Sequence, residues 1–232
     1  MKKFGILTLL GSTQTVPLLQ ELRKLDLLPA AVIIDGRLGA KAEEFIAARL
    51  DRSYVLEDLP DIDLTDVPSY FVSNNNAQPC LDLIAALKLE FLVSAGTRIL
   101  KAPILNATDG VINCHPAILP AYRGCTTVEW SLYNGDPVGA TAHFMSEKID
   151  EGPIILSETM TVAKFEPYEI VRTRMIAHQA RVQARAISRI LKEGGTRSTL
   201  PPQGSGKYYK PIPLEKILEL KTKLAQGGYS CP

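Results

Sequence analysis

Phe4-Gly5-Ile6-Leu7-Thr8-Leu9-Leu10-Gly11-Ser12-Thr13 is the stretch that decides the fold. Its apolar residues run continuously from 4 to 10 instead of alternating with polar ones. A strand of that kind is buried on both faces, as the inner strand of a covered parallel sheet is. The Gly11-Ser12-Thr13 turn then leads into a helix. Ser12, Thr13 and Thr15 are its N-cap candidates, and Thr15 is favoured if Pro17 is to sit in the first turn. Val16, Leu18, Leu19, Leu22 and Leu25 supply the apolar stripe. The same alternation continues downstream. A strand is expected at 30–34, an Ala-rich helix at 41–50, an acidic aperiodic connection at 51–66, a strand at 70–72, a helix at 77–87 and a strand at 91–95. The order predicts an α/β domain, a doubly wound and mostly parallel sheet, which gathers ligands at the carboxyl ends of its strands.

Further along, a strand closes at Asn113-Cys114-His115-Pro116, and residues 117–124 form a loop holding Pro120, Tyr122, Arg123 and Gly124. A helix is expected at 126–133. A strand pair at 138–145 and 154–160 flanks the loop 150–153. A long helix at 167–192 is stopped by Gly194 and Gly195, with Lys192 at its negative end. Residues 196–210 are polar and rich in Gly and Pro and read as linker; 214–224 form a last short helix. The expected organisation is a domain over 1–195 with a linker and short helical tail over 196–232.

Of the 232 residues, 46% are hydrophobic and 22% charged, and the formal net charge is +1. This is a globular composition without the basic field that nucleic-acid binding calls for. Cys80, Cys114, Cys125 and Cys231 form no CxxC pair, so a reduced, cytoplasmic chain is expected. Met1-Lys2-Lys3 and the apolar run after it imitate a signal peptide. That run is only about seven residues and no cleavage site follows, so it reads as the first strand. No stretch approaches the roughly 18 apolar residues of a membrane span.

Asn113 and His115 stand two apart on a strand, so their side chains share a face while that of Cys114 takes the other. A carboxamide and a protonated imidazole are both donors, suited to an oxyanion on a carbonyl carbon under attack. A capping Asn beside a half-buried structural His is the alternative for that pair alone. Another reading takes His115, His143 and Asp150 as two histidines and a carboxylate holding a metal in a hydrolase. No pair has helical HxxxH spacing, and no metal is expected. A non-catalytic nucleotide-binding module is the third reading. Gly11-Ser12-Thr13 lacks GxGxxG, and Gly204-Ser205-Gly206-Lys207 is not a P-loop, since Pro201 and Tyr208 occupy required positions.

The segment Asn113-Cys-His-Pro-Ala-Ile-Leu-Pro-Ala-Tyr-Arg-Gly124, then Gly139-Ala-Thr-Ala-His143, then Ile149-Asp-Glu-Gly-Pro153 resembles the folate-dependent formyltransferase family. Glycinamide ribonucleotide, methionyl-tRNA and sugar N-formyltransferases belong to it. Ala117-Ile118 stands where that family usually has Ser-Leu. The resemblance implies a Rossmann-like formyltransferase fold with a short C-terminal extension, and 10-formyltetrahydrofolate as formyl donor. It makes Asn113, His115 and Asp150 the catalytic trio. Arg98, Ile99 and Leu100, with Ser146, Glu147, Lys148 and Ile149, become the donor-binding segments. His143 would support the Asp150 loop. Ser12, Thr13 and Arg123 are the candidates for binding the acceptor, Arg123 having a loop-ordering role as its alternative.

The acceptor is narrowed by what is missing. The Gly-x-Gly-Ser-Asn phosphate loop of glycinamide ribonucleotide enzymes is replaced by Gly11-Ser-Thr-Gln-Thr15, and residues 196–232 are too few for a tRNA-binding barrel. A small amine is expected, a nucleotide-linked amino sugar first, with a possible homodimer built through the tail. Methionyl-tRNA and glycinamide ribonucleotide formylation stay open. So does formyltetrahydrofolate hydrolysis, although such enzymes usually carry an extra N-terminal domain, not expected here because the first strand begins at Phe4.

Overall fold

The computed structural model describes residues 2–36 and 64–229. The helix expected at 41–50 and most of the connection expected at 51–66 lie outside the described residues. β1 (Phe4–Leu9) pairs in parallel with β2 (Ala31–Asp35) on one side and β4 (Phe91–Ala95) on the other; β3 (Ser69–Val72) extends the β2 side. Beyond β4 follow β5 (Val111–His115), β7 (Gly139–Phe144) and β8 (Ile154–Thr159), giving the order β3-β2-β1-β4-β5-β7-β8. The first five strands are parallel and β7 runs against β5. This is the doubly wound, mostly parallel α/β sheet expected, with its switch point between β1 and β4.

The inner strands β1, β2 and β4 are covered on both faces, which is why they carry no polar alternation, whereas the edge strands β3 and β8 are partly exposed. Phe4 and Ile6 of β1 join one core with Leu18, Leu19 and Leu22 of α1 (Thr15–Lys24) and Val171 to Ile190 of α5 (Tyr168–Glu193). Leu7 points the other way, to Cys80 and Ile84 of α2 (Gln78–Ala86) and Ile104 and Leu105 of α3 (Ala102–Leu105). Each fully buried Leu or Ile stabilises by about 1.5–3 kcal/mol, so this two-sided run holds the sheet together. Ile112 and Cys114 of β5 face the first core and Val111 the second. Asn113 and His115 therefore lie on the α2–α3 side.

Thr15 is the first residue of α1, not its cap. Gln14 takes that position without a side-chain bond. The Thr15 hydroxyl instead lies 2.6 Å from that of Thr8, which donates to Ala95 O, so it ties β1 to β4. Short elements complete the fold, two of them where loop or linker was expected. α3 spans four residues, and β6 (Tyr122–Gly124) pairs in parallel with β9 (Lys207–Tyr209), inside the stretch read as linker. Tyr209 stacks on Tyr122 at 4.7 Å, and Trp130 of α4 (Thr127–Asn134) donates through Nε1 to Lys210 O. α6 (Leu214–Ala225) then buries Ile217, Leu220 and Leu224. Among the described residues, no helix is long and apolar enough to cross a membrane.

Candidate active site

The parallel pairing of β4 and β5 stops at Val93↔Ile112, and the two strands diverge toward their carboxyl ends. Carbonyl groups left without a ladder partner in a buried place need another donor. α5 supplies two: Gln183 Nε2 donates to Ser94 O and Gln179 Nε2 to Cys114 O, each at 2.8 Å. The divergence opens the sheet where Asn113 and His115 project. Across the antiparallel ladder Asn113 faces His143 and His115 faces Thr141.

The loop after β7 brings Asp150 to this pair. One carboxylate oxygen lies 3.4 Å from His115 Nδ1 and the other 3.7 Å from His143 Nε2. His143 Nδ1 sits 2.9 Å from Phe144 O, an acceptor, so that nitrogen carries the proton of the neutral ring. Its Nε2 is then an acceptor, and Asn113 Nδ2 donates to it at 3.4 Å. This fixes which end of the carboxamide faces His143 and leaves a second amide N–H and the amide oxygen for the cleft. Burial drives the His143 pKa down to about 4 against the opposing pull of Asp150, with His115 adding to the depression. Burial also lowers the His115 pKa, opposed by Asp150 and by the bond to Tyr122.

The His115 ring has a further commitment. Its Nε2 donates to Tyr122 O at 2.8 Å while Nδ1 faces Asp150. Both ring nitrogens thus meet acceptors on the protein, whereas the sequence reading has His115 donating to an oxyanion. The Asn113 carboxamide is the donor at this strand end that remains available.

The loops are held by backbone contacts that demand particular residues. Thr141 donates to Ala117 O at 2.7 Å and accepts from Leu119 N at 3.1 Å, seating the loop after His115. Gly124 N donates to Asp150 at 2.9 Å. A Cβ at Gly124, where φ is +96°, would lie 2.4 Å from Tyr209 O; one at Gly152 would lie 1.7 Å from Phe144 O. Those two contacts give the Arg-Gly and Asp-x-Gly patterns their physical reason. Asp150 itself has a φ of 55°.

The remaining candidates are distributed unevenly. Arg98 is bound bidentately to the fully buried Asp35 at the end of β2, 2.6 Å on each arm. Leu100 is buried in the core beside Ile104, whereas Ile99 is 79% exposed. Ser146 donates to Lys148 O, Lys148 lies 3.8 Å from Glu151, and Ile149 is 49% exposed. An open cleft of about 420 Å³ is lined by Asn106, Ser146, Glu147, Lys148, Glu151 and Arg197. Ser12 Oγ donates to Ala95 O rather than outward, and Thr13 is half-buried in the turn after it. Arg123 is 7% exposed, donating to Gln203 and Gly204 O and lying 3.6 Å from Glu151. That is the loop-ordering arrangement. Among the described residues no group of three or more His, Cys, Asp or Glu is arranged to hold a metal ion.

Sequence reasoning missed Tyr122, whose carbonyl anchors His115, and Gln203 in the tail. Tyr122 was legible as an aromatic beside the Arg-Gly turn; nothing in its neighbours marked Gln203.

The family model described as formyl transferase matches residues 51–187. A methionyl-tRNA formyltransferase of Chlorobium limicola is 33% identical over 100 residues, covering 42% of this chain and 31% of that protein. The chain thus spans about a third of the length of that curated relative. Among solved structures, a glycinamide ribonucleotide transformylase of Symbiobacterium toebii has a TM-score of 0.62 at 26% identity, covering 84% of this chain and 89% of that one. A sugar N-formyltransferase of a Shewanella species shares the fold, with a TM-score of 0.61 at 16% identity over 94% of this chain and 86% of that one.

Proposed function

The chain belongs to the formyl transferase family, and from that membership we propose that it moves the formyl group of 10-formyltetrahydrofolate to a primary amine of a small acceptor. The observation that carries this reading is the meeting of Asn113, His115 and Asp150 at one diverging strand end, with Asp150 3.4 Å from His115.

The amine nitrogen attacks the formyl carbon, and charge grows on the formyl oxygen. The second N–H of Asn113 donates to that oxygen, a contact worth more in the transition state than before it. The proton lost by the attacking amine passes to the Asp150–His115 pair, directly or through one water, and from there to the departing folate nitrogen as its bond to the formyl carbon breaks. His143 keeps the Asn113 amide oriented throughout. The donor fits against Ile99 and Ile149, apolar side chains that the protein itself leaves exposed on the turn after β4 and on the Asp150 loop. The Arg98 guanidinium acts through Asp35, shaping that turn from behind.

The acceptor of this proposal is a nucleotide-linked amino sugar. It is supported by Gly11-Ser12-Thr13-Gln14-Thr15, which stands where glycinamide ribonucleotide enzymes carry their phosphate loop. A panel of amines offered with 10-formyltetrahydrofolate, read by release of tetrahydrofolate, tests both parts. Amine-dependent release with a sugar nucleotide supports them. Release only with glycinamide ribonucleotide or methionyl-tRNA replaces the acceptor, and release with water alone replaces transfer by hydrolysis.

A further inference from the structure

The tail segment that looks like a linker reaches the site at one side chain. Gln203 accepts from Arg123 Nη2 at 3.1 Å through its amide oxygen, and its Nε2 donates to Gly152 O. Arg123 Nη2 also donates to Gly204 O at 2.8 Å. Three residues on, Gly206 passes so close to the loop after β5 that a Cβ there would lie 1.9 Å from Pro120 O. The segment is therefore seated on both loops that border the cleft, the one carrying Gly124 and the one carrying Asp150. A carboxamide carries its acceptor oxygen and its N–H donors on neighbouring atoms of one planar group, so a single Gln203 side chain bridges a guanidinium and a carbonyl.

We infer that Gln203 is a positioning residue for the formyl-transfer site, clamping the Arg123–Gly124 loop to the Asp150–Gly152 loop so that Asp150 is held against His115. Gly124 N fixes one side of the Asp150 carboxylate, and Gln203 fixes the backbone two residues after it. Without the clamp the Asp150 loop recoils from β6. The charged and titratable groups around Asp150 are His115 from β5, His143 from β7, and Arg123 of β6 with Glu151 beside it. Gln203 carries no charge, so its removal changes their geometry and not their number.

The kinetic part of the test rests on the formyl-transfer reading; the spectroscopic part does not. In the full chain, Gln203→Leu removes both arms of the bridge, and Gln203→Glu keeps an acceptor for Arg123 while setting a carboxylate against Gly152 O. Both variants are expected to lower kcat about tenfold with each KM within about twofold, as a misplaced catalytic group does. In the Gln203→Leu protein the His115 ring, followed by NMR, should titrate at lower pH than in wild type, because Asp150 favours the imidazolium. A merely structural role would leave that titration where it is. Unchanged kcat and unchanged His115 titration in folded Gln203→Leu overturn the inference. If that variant does not fold, wild-type kcat in Gln203→Glu overturns it. Should no amine accept a formyl group, the titration decides alone.

Discussion

Replacing Gly152 by alanine puts a methyl carbon 1.7 Å from Phe144 O, where real Cβ atoms essentially never come within 3.0 Å. The obstacle is backbone at the end of β7, whose Phe144 N donates to Pro153 O at 2.9 Å, so it has little freedom to yield. The Asp150 loop must back away by roughly 1 Å or more, and a displacement of that size costs about a hundredfold in rate. That corresponds to about 2.7 kcal/mol of transition-state stabilisation. Crowding the β7–β8 connection should cost a further 1–3 kcal/mol, roughly, in folding stability. Steady-state tetrahydrofolate release measures the first quantity and urea unfolding the second. Gly36→Ala is the control: its Cβ would meet Ser73 O and Val72 O at ordinary distances of 3.8 and 3.9 Å, so stability should change by less than about 0.5 kcal/mol. A folded Gly152→Ala protein with kcat within threefold of wild type, roughly, would refute the argument that Gly152 sets the position of Asp150.

Three more outcomes are expected. His143 is held neutral in the fold with a pKa near 4 against an ordinary 6.5, so the unfolded chain takes up its proton first. Its stabilising contribution is complete above about pH 6.5 and lost as pH falls toward 4, by about 3 kcal/mol, and His143→Gln should flatten that slope in urea titrations across the range. Arg98→Ala takes both guanidinium donors from the buried Asp35 carboxylate, to which the Asn75 N–H also donates at 2.8 Å, and should cost about 3 kcal/mol. Arg98→Lys, which cannot bond bidentately, should recover less than half of that by the same unfolding assay. Asn113→Ala should lower kcat by about a hundredfold with little change in KM, because the lost donor serves the transition state; a rise in KM alone would assign Asn113 to ground-state binding.

How much of this was legible depended on range. The run from Phe4 to Thr8 announced a covered strand because its neighbours alternate between two cores, a pattern local to the chain. Asn113 and His115 were legible as a pair because strand periodicity alone puts them on one face. Asp150 was found through its motif, and the glycine two residues later proved to be a matter of backbone crowding against Phe144. The ion pair of Arg98 was not legible, since its partner Asp35 stands 63 positions away and no local pattern links them. Thr15 was taken for a cap because its hydroxyl suits one, whereas that hydroxyl is used across the sheet. The tail was the hardest to read. Its contacts run through backbone groups and one glutamine, and a Gly- and Pro-rich segment that packs by its backbone has the composition of one that does not pack.

In the proposed reaction His115 and Asp150 act together on formyl transfer. The most direct test is tetrahydrofolate release from 10-formyltetrahydrofolate by wild-type and His115→Ala protein, with an accepted amine present and absent and folding checked by circular dichroism. The prediction is amine-dependent release by wild type and a loss of at least about a hundredfold in the folded variant. Release by folded His115→Ala at close to the wild-type rate would contradict it.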